Sequence, residues 1–183
     1  PMPRGFESFT LPDCQNLDLE IGCGVGLHPV QFGKKYPERT LIAIEHTKNK
    51  FDKFSRRIEK NNLDNIMPIH ANAISWISHF VKEETIENIF ILYPNPNPKS
   101  SDISKRWHAM PFMSQLIKVL KPQGSIHFAT NEDFYAQELM LYMKEWWKLK
   151  CLKNEIINQK CFIPRTHFEK KYLKSGQNCF DLT

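Results

Sequence analysis

Short apolar runs alternate along the chain with longer stretches in which apolar residues recur at helical spacing. The segments NLDLEIG, TLIAIE, NIMPIHA, IENIFILY and GSIHFAT are brief and rich in Ile and Leu, which predicts five strands, IENIFILY being the most apolar. Between them, LHPVQFGKKY, HTKNKFDKFSRRIEKNN, AISWISHFVKEE and KRWHAMPFMSQLIKVL read as helices, and EDFYAQELMLYMKEWWK follows as a last long helix. Strands alternating with helices pair in parallel through right-handed crossovers, so the pattern predicts an α/β fold: an open, mostly parallel sheet with helices on both faces. Ligands of such sheets sit outside the carboxyl ends of the strands. That puts the loops after Ile21, Ile44, Ala71, Tyr93 and Thr130 on one rim.

A length of 183 residues suits one buried core, so a single domain over residues 1–183 is expected. The apolar fraction of 41% and charged fraction of 25% are those of an ordinary globular protein and exclude a fibrous or disordered class. No apolar run approaches the roughly 20 residues of a membrane helix, and PMPRGFESF has no apolar signal core; a soluble, cytoplasmic protein without membrane association is expected. The five cysteines, Cys14, Cys23, Cys151, Cys161 and Cys179, are odd in number and form no C-x-x-C pair, so five free thiols and no metal site are expected. His28, His70, His79, His108, His127 and His167 show no ligand spacing and read as surface or satisfied core residues.

Charge changes the picture. The net charge is only +5, yet Lys144 to Lys174 holds nine Lys/Arg against three acids. A local excess of six fits a polyanionic partner gripped near this end of the chain, or a solvated basic face.

Candidate chemistry gathers on the expected rim. Gly22, Gly24 and Gly26 follow Glu20 directly. Glycine permits the positive φ of a tight strand-to-helix turn and lets a ligand approach the backbone. The spacing G-x-G-x-G differs from the G-x-G-x-x-G of dinucleotide folds, and a carboxylate beside the turn would repel a pyrophosphate. It suits a cationic group such as the amino-acid end of S-adenosylmethionine. Glu45 closes the second strand, where an acid can accept from both ribose hydroxyls. Asn72 either contacts an adenine edge or caps the helix beginning at Ala73. In YPNPNPKSSDISKRW the prolines stiffen a loop after the fourth strand. Lys99, Lys105 and Arg106 there offer cations for phosphate contacts, and Trp107 reads as core. Trp146 and Trp147 read as capping the core at the end of their helix, with stacking on RNA the alternative.

With EIGCGVGLH, IE at the second strand, YPNPNPK after the fourth, LKPQGSIHFATNEDFY through the fifth and RTHFEKKYLKSGQNCFDL at the end, the chain resembles the bacterial tRNA (guanine-N7)-methyltransferase family. The match runs from about Leu17 to Leu182, and the tetrapeptide Thr166 to Glu169 is its most specific part. The resemblance implies a Rossmann-like fold with a seven-stranded sheet, S-adenosylmethionine as cofactor, tRNA as partner and 7-methylguanosine in the variable loop as product. Carried over by position, Glu20, Gly22, Gly24, Gly26, Glu45, Asn72, Ala73 and Asn95 line the donor site, with Asn95 in the catalytic position. Lys99, Asn131, Thr166, His167, Phe168 and Glu169 hold the guanosine. A monomer or weak homodimer is expected.

The chain departs from the family pattern where Asn72, Asn95 and Asn131 each replace an aspartate, where Asn97 replaces a tryptophan, and where Ser100 to Ser104 replace a denser basic run. Only Arg4 is basic before Leu17, where the family has a basic extension. Three rivals follow: a methyltransferase of another substrate, since NPNP resembles the Asn-Pro-Pro-aromatic loop of amino-group methyltransferases but lacks the aromatic; a donor-binding RNA module without turnover; and a nicotinamide oxidoreductase.

Overall fold

All five apolar runs form strands: β1 (Leu17–Ile21), β2 (Thr40–Glu45), β3 (Ile66–His70), β4 (Ile86–Leu92) and β5 (Leu120–Thr130). The computed structural model describes residues 10–11, 15–157 and 163–183; Arg4, Cys14, Lys160 and Cys161 lie outside the described residues. The helices are α1 (Leu27–Lys35), α2 (Lys48–Asn61), α3 (Ala73–Phe80), α4 (Met113–Val119), α5 (Asp133–Glu145) and α6 (His167–Lys174). Two short strands, β6 (Asn154–Ile157) and β7 (Cys179–Leu182), complete a seven-stranded sheet in the order β3-β2-β1-β4-β5-β7-β6. β2 pairs in parallel with β1 and β3, and β1 with β4, while β7 runs antiparallel to β5 and β6. The sheet is mixed, with the α/β Rossmann-like order expected.

Two expectations need correcting. KRWHAMPFMSQLIKVL is not one helix: two 3-10 turns, Ser100–Lys105 and Trp107–Ala109, precede the short α4. Pro111 disfavours helical backbone at the residue before it, and Met110 is extended (φ −71°, ψ 138°). Nor is α5 the last helix. β6 and β7 are only four residues each, too short for a period-2 pattern to register.

The chain divides into two compact units: the described residues up to Phe90 with Lys118–Ser125, and Ile91–Ile117 with Ile126–Thr183. In the first, Leu41 and Ala43 of β2 pack with Phe32 of α1, Phe54 and Ile58 of α2 and Ile66 of β3. Phe54 and Ile58 lie one turn apart, with Phe51 packed against the same cluster, on a helix that ends where Asn62 turns left-handed (φ 50°). In the second, Met113, Leu116 and Val119 of α4, Phe128 of β5, Tyr135 and Leu139 of α5 and Leu182 of β7 are buried. No helix among the described residues is long and apolar enough to cross a membrane.

β1, LDLEI, is buried throughout although it carries two acids. Asp18 and Glu20 alternate with leucines, so both project from one face of the strand. A buried carboxylate needs a partner. Asp18 has Arg39, whose Nε and Nη2 reach its two oxygens at 2.6 Å each, and Asn88, whose backbone N and Nδ2 lie 3.1 and 2.8 Å from Oδ1. Arg39 also donates to Glu87 at 2.7 Å, and this bond holds the Glu87 carboxyl below its ordinary range. Arg39→Ala would leave Asp18 buried and uncompensated, a loss of about 3–5 kcal/mol. Chemical denaturation read by circular dichroism should therefore show a large fall in midpoint; an unchanged midpoint contradicts the network's role.

Candidate active site

The turn after β1 is shaped by backbone conformation first. Gly22, Gly24 and Gly26 have φ of 75°, 61° and 78°. Gly22 N and Cys23 N donate to Ile44 O at 2.8 and 3.1 Å, tying the turn to the end of β2. A Cβ on Gly24 would meet nothing within 4 Å, so this side of the turn is open. On Gly26 it would strike the Phe54 ring at 2.1 Å.

Glu45 then fixes the turn. Its Oε2 accepts from Gly24 N at 2.9 Å and its Oε1 from Thr47 N at 2.6 Å, so one buried carboxylate spans the glycine turn and the approach to α2. Glu20 is held differently. An ionised carboxylate has no proton to give, so His28 Nδ1 donates to Glu20 Oε2 at 2.8 Å. The imidazole is itself buried, its ring centroid 4.9 Å from that of Phe90 and 6.0 Å from that of Phe32. Burial, then Glu20 and Glu45, push the Cys23 thiol well up, so it stays protonated and is no nucleophile. Ala71 N donates to Glu45 O at 3.3 Å, bringing Asn72 and Ala73 to the same end of β2. Of the two readings of Asn72, the structure displays the cap: Oδ1 accepts from Ser75 N at 3.1 Å.

In the second unit, the loop after β4 begins at Tyr93 (φ 54°), whose N donates to Ala129 O at 2.7 Å. Asn95 is exposed; its Oδ1 accepts from Asn97 N at 3.2 Å, and its carbonyl accepts from Asn97 Nδ2 at 3.2 Å, a local turn that sets Asn97 left-handed (φ 44°). Arg106, expected to reach phosphate, does not face solvent. It is 5% exposed and points into the loop: Nε and Nη2 donate to Asn97 O at 3.1 and 3.0 Å, Nη2 also to Pro98 O and Lys99 O, and Nη1 pairs with Glu138. Three prolines, Pro94, Pro96 and Pro98, remove backbone donors, and Arg106 supplies replacements for the loop's carbonyls. Lys99 is exposed, and Lys105 pairs with Asp102 at 2.8 Å.

Behind the loop, His108 is fully buried against Tyr135 and Tyr142, with ring centroids 4.6 and 5.2 Å away. Burial lowers its pKa to about 4, against the opposing pull of Glu138. Trp107 is half-buried, 6.4 Å from Phe112 between centroids.

The tetrapeptide near the end splits by role. Thr166 caps α6, its Oγ1 accepting from Glu169 N at 3.0 Å. Glu169 is 0% exposed and reaches back past the cap to Arg165 N at 2.6 Å, while Oε1 accepts from Arg165 Nη2 at 2.7 Å and Tyr93 OH at 2.9 Å. Expected beside the guanosine, Glu169 is instead enclosed and fixes the start of the helix that presents His167 and Phe168 to solvent. Arg165 continues to Asp181 at 2.8 Å, where Lys153 also donates at 2.8 Å. Burial alone would raise Asp181, but Arg165 and Lys153 outweigh it and its pKa lies below the ordinary value. Asn131 Nδ2 donates to Glu132 Oε1 at 2.9 Å and Gln177 Oε1 at 3.1 Å. Trp147 is half-buried, its indole donating to His108 O at 2.7 Å, but Trp146 does not cap the core: it is 72% exposed.

The structure thus brings together Glu20, the three glycines, Glu45, Asn72 and Ala73 in the first unit, and links the segments carrying Asn95 and Thr166–Glu169 through Tyr93 in the second. His28, Tyr93, Arg106 and Arg165 hold these residues in place. His28 carries a signal in its position two residues past Gly26; the other three show none until their partners are known. Among the described residues no group of three or more His, Cys, Asp or Glu could hold a metal ion.

The sequence profile of the family described as "Putative methyltransferase" matches residues 15–182. A tRNA (guanine-N(7)-)-methyltransferase of Nitrosomonas eutropha is 30% identical over 90% of this chain and 73% of its own. The chain belongs to the tRNA (guanine-N7)-methyltransferase family. Two solved structures share the fold of this family member: an antibiotic-related methyltransferase (TM-score 0.67, 14% identity, 100% of this chain and 98% of that one), and a SAM-dependent methyltransferase from Aquifex aeolicus (TM-score 0.61, 13% identity, 92% and 81%).

His108 gives the second unit a pH signature. An unfolded imidazole takes up its proton near pH 6.5, whereas the folded one resists until about 4. The stability gained by keeping it neutral is complete above pH 6.5 and is lost progressively as pH falls towards 4. Melting temperature should drop between pH 6.5 and 5 in the native protein, and much less in His108→Phe; equal slopes would contradict the assignment.

Proposed function

We propose that the chain transfers a methyl group from S-adenosylmethionine to N7 of a guanosine in the variable loop of tRNA. The observation that carries this reading is the buried pair of carboxylates, Glu20 and Glu45, around an open glycine turn, in a chain of this family. The residues present fit the donor. Gly24 leaves space where a side chain would stand, and the carboxylates suit a cationic amino group and a ribose diol. Glu20 takes the amino group, Glu45 the ribose, and Asn72 and Ala73 the adenine side. When bound, the donor supplies a methyl group activated by a sulfonium.

Guanine N7 has a lone pair and no proton, so the chain needs no general base. Its residues have two tasks: holding the base in line, and stabilising the positive charge that develops on the purine. Asn95 faces the reacting purine with its amide; Lys99, Asn131, Thr166, His167 and Phe168 hold the guanosine and its phosphates, and Glu169 acts as a positioning residue. Asn131 offers both a donor and an acceptor to a base edge.

Nucleoside mass spectrometry of tRNA lacking 7-methylguanosine, incubated with protein and donor, should show that nucleoside appear; its absence despite donor binding refutes the proposal. Asn95→Asp keeps the acceptor for Asn97 N and adds a charge. It is expected to raise kcat by roughly 10- to 100-fold, the scale on which one electrostatic element acts in an active site. A kcat equal to or below that of the native protein contradicts the role given to Asn95.

A further inference from the structure

The paired tryptophans after α5 point in opposite directions, and the outward one has no structural task among the described residues. Trp147 is anchored through its indole to His108 O at 2.7 Å. The backbone is pinned as well: Trp146 N and Trp147 N both donate to Tyr142 O, at 3.0 and 3.1 Å, and Lys148 turns left-handed (φ 55°) to end the helix. These constraints fix the main chain that carries Trp146. It is 72% exposed, the highest exposure of any tryptophan here, and its ring lies 6.2 Å from that of Tyr142 with the planes only 25° apart. Within four residues of it in the sequence, Lys144, Lys148 and Lys150 are exposed, against one acid, Glu145, which pairs with Lys144 at 3.3 Å.

Two of the nine cations counted from Lys144 to Lys174 are consumed internally: Arg165 and Lys153 are bound to Glu169 and Asp181. Among the described residues of the stretch, the exposed lysines fall into two groups along the sequence, each with a near-parallel aromatic pair. One is Lys170, Lys171 and Lys174 with Phe168 and Tyr172 (6.3 Å, 19°), which belongs to the guanosine-binding tetrapeptide. The other is the Trp146 group, which the site does not use. An exposed indole on a lysine-rich stretch is the chemistry that receives an unstacked nucleic-acid base, the ring taking the base face and the lysines the flanking phosphates.

We infer that Trp146, backed by Tyr142 and flanked by Lys144, Lys148 and Lys150, is a second stacking platform for an unpaired base of the RNA substrate, outside the residues assigned to the methylated guanosine. The inference rests on the reading that the substrate is RNA. A protein partner would need charge of the opposite sign in a shape that nothing on this face specifies, whereas RNA supplies both the planar group and the anions.

The test is tRNA binding by Trp146→Ala and Trp146→Phe, with intrinsic fluorescence of the native protein followed during titration. Trp146→Ala should weaken tRNA binding roughly 5- to 100-fold, the range for one base stacked on one aromatic. The KM for tRNA should rise more than kcat falls, while donor affinity and melting temperature stay as they were. Trp146→Phe should recover most of the affinity, and tRNA should quench the native fluorescence. If the native protein binds tRNA and Trp146→Ala binds it equally well, the inference fails. It fails likewise if Trp146→Ala changes only sedimentation, which would mark the face as a contact between copies. Absence of 7-methylguanosine with the native protein would overturn the proposed reaction and leave this binding comparison readable in its own right.

Discussion

A carboxylate buried at the end of a strand, with two backbone amides aimed at it, holds the glycine turn proposed to receive the donor. Glu45 accepts from Gly24 on one side and from Thr47 on the other. Without it, the turn with its three alternate positive-φ glycines would be tied to β2 only at Gly22 and Cys23, and glycine loses more freedom on ordering than any other residue. The carboxylate replaces lost entropy with charge-assisted hydrogen bonds, which are about twice as strong as neutral ones. Glu20, one strand over, is fixed by a side chain instead, the His28 imidazole. Both acids are therefore oriented before any ligand arrives, which is the condition for an electrostatic site to act without reorganising.

The second unit solves a different problem with the opposite charge. Its loop after β4 is rich in proline and asparagine, so its carbonyls outnumber its donors, and a buried arginine meets them. Arg165 does the equivalent for the segment before α6, joining Glu169, Tyr93 and Asp181 into one lattice. In both places a guanidinium that a surface reading assigns to RNA is bound within the fold, Arg106 buried and Arg165 half-buried. The planar five-donor fork explains why arginine fills these positions while the exposed cations are lysines.

The alternation of apolar runs made the first five strands and the α/β class of the fold legible, and the spacing of Glu20, three glycines and Glu45 marked candidate rim residues. Orientation could not be read the same way. Arg106 and Lys99 look alike as letters, yet one faces inward because four carbonyl and carboxylate partners converge on it. Trp146 and Trp147 are adjacent and identical, and only the His108 carbonyl and the turn at Lys148 decide which is outside. Glu169 sits in a pattern that reads as an ordinary helix start, Thr-x-x-Glu, but it spans to Arg165 and Tyr93 through contacts 4 and 76 residues away. Such long-range pairings leave no periodic trace. The short β6 and β7 were missed for a local reason, since four residues are too few to establish an alternation.

If the donor binds at the glycine turn as proposed, the Glu45 carboxylate preforms its site by holding both amides. Glu45→Gln tests it directly, because a glutamine has one acceptor oxygen and cannot accept from Gly24 and Thr47 at once in the same manner. Titration calorimetry with S-adenosylmethionine should show the affinity of Glu45→Gln reduced roughly 10- to 100-fold, the range for losing a hydrogen bond to a charged group. An affinity equal to that of the native protein would contradict the account.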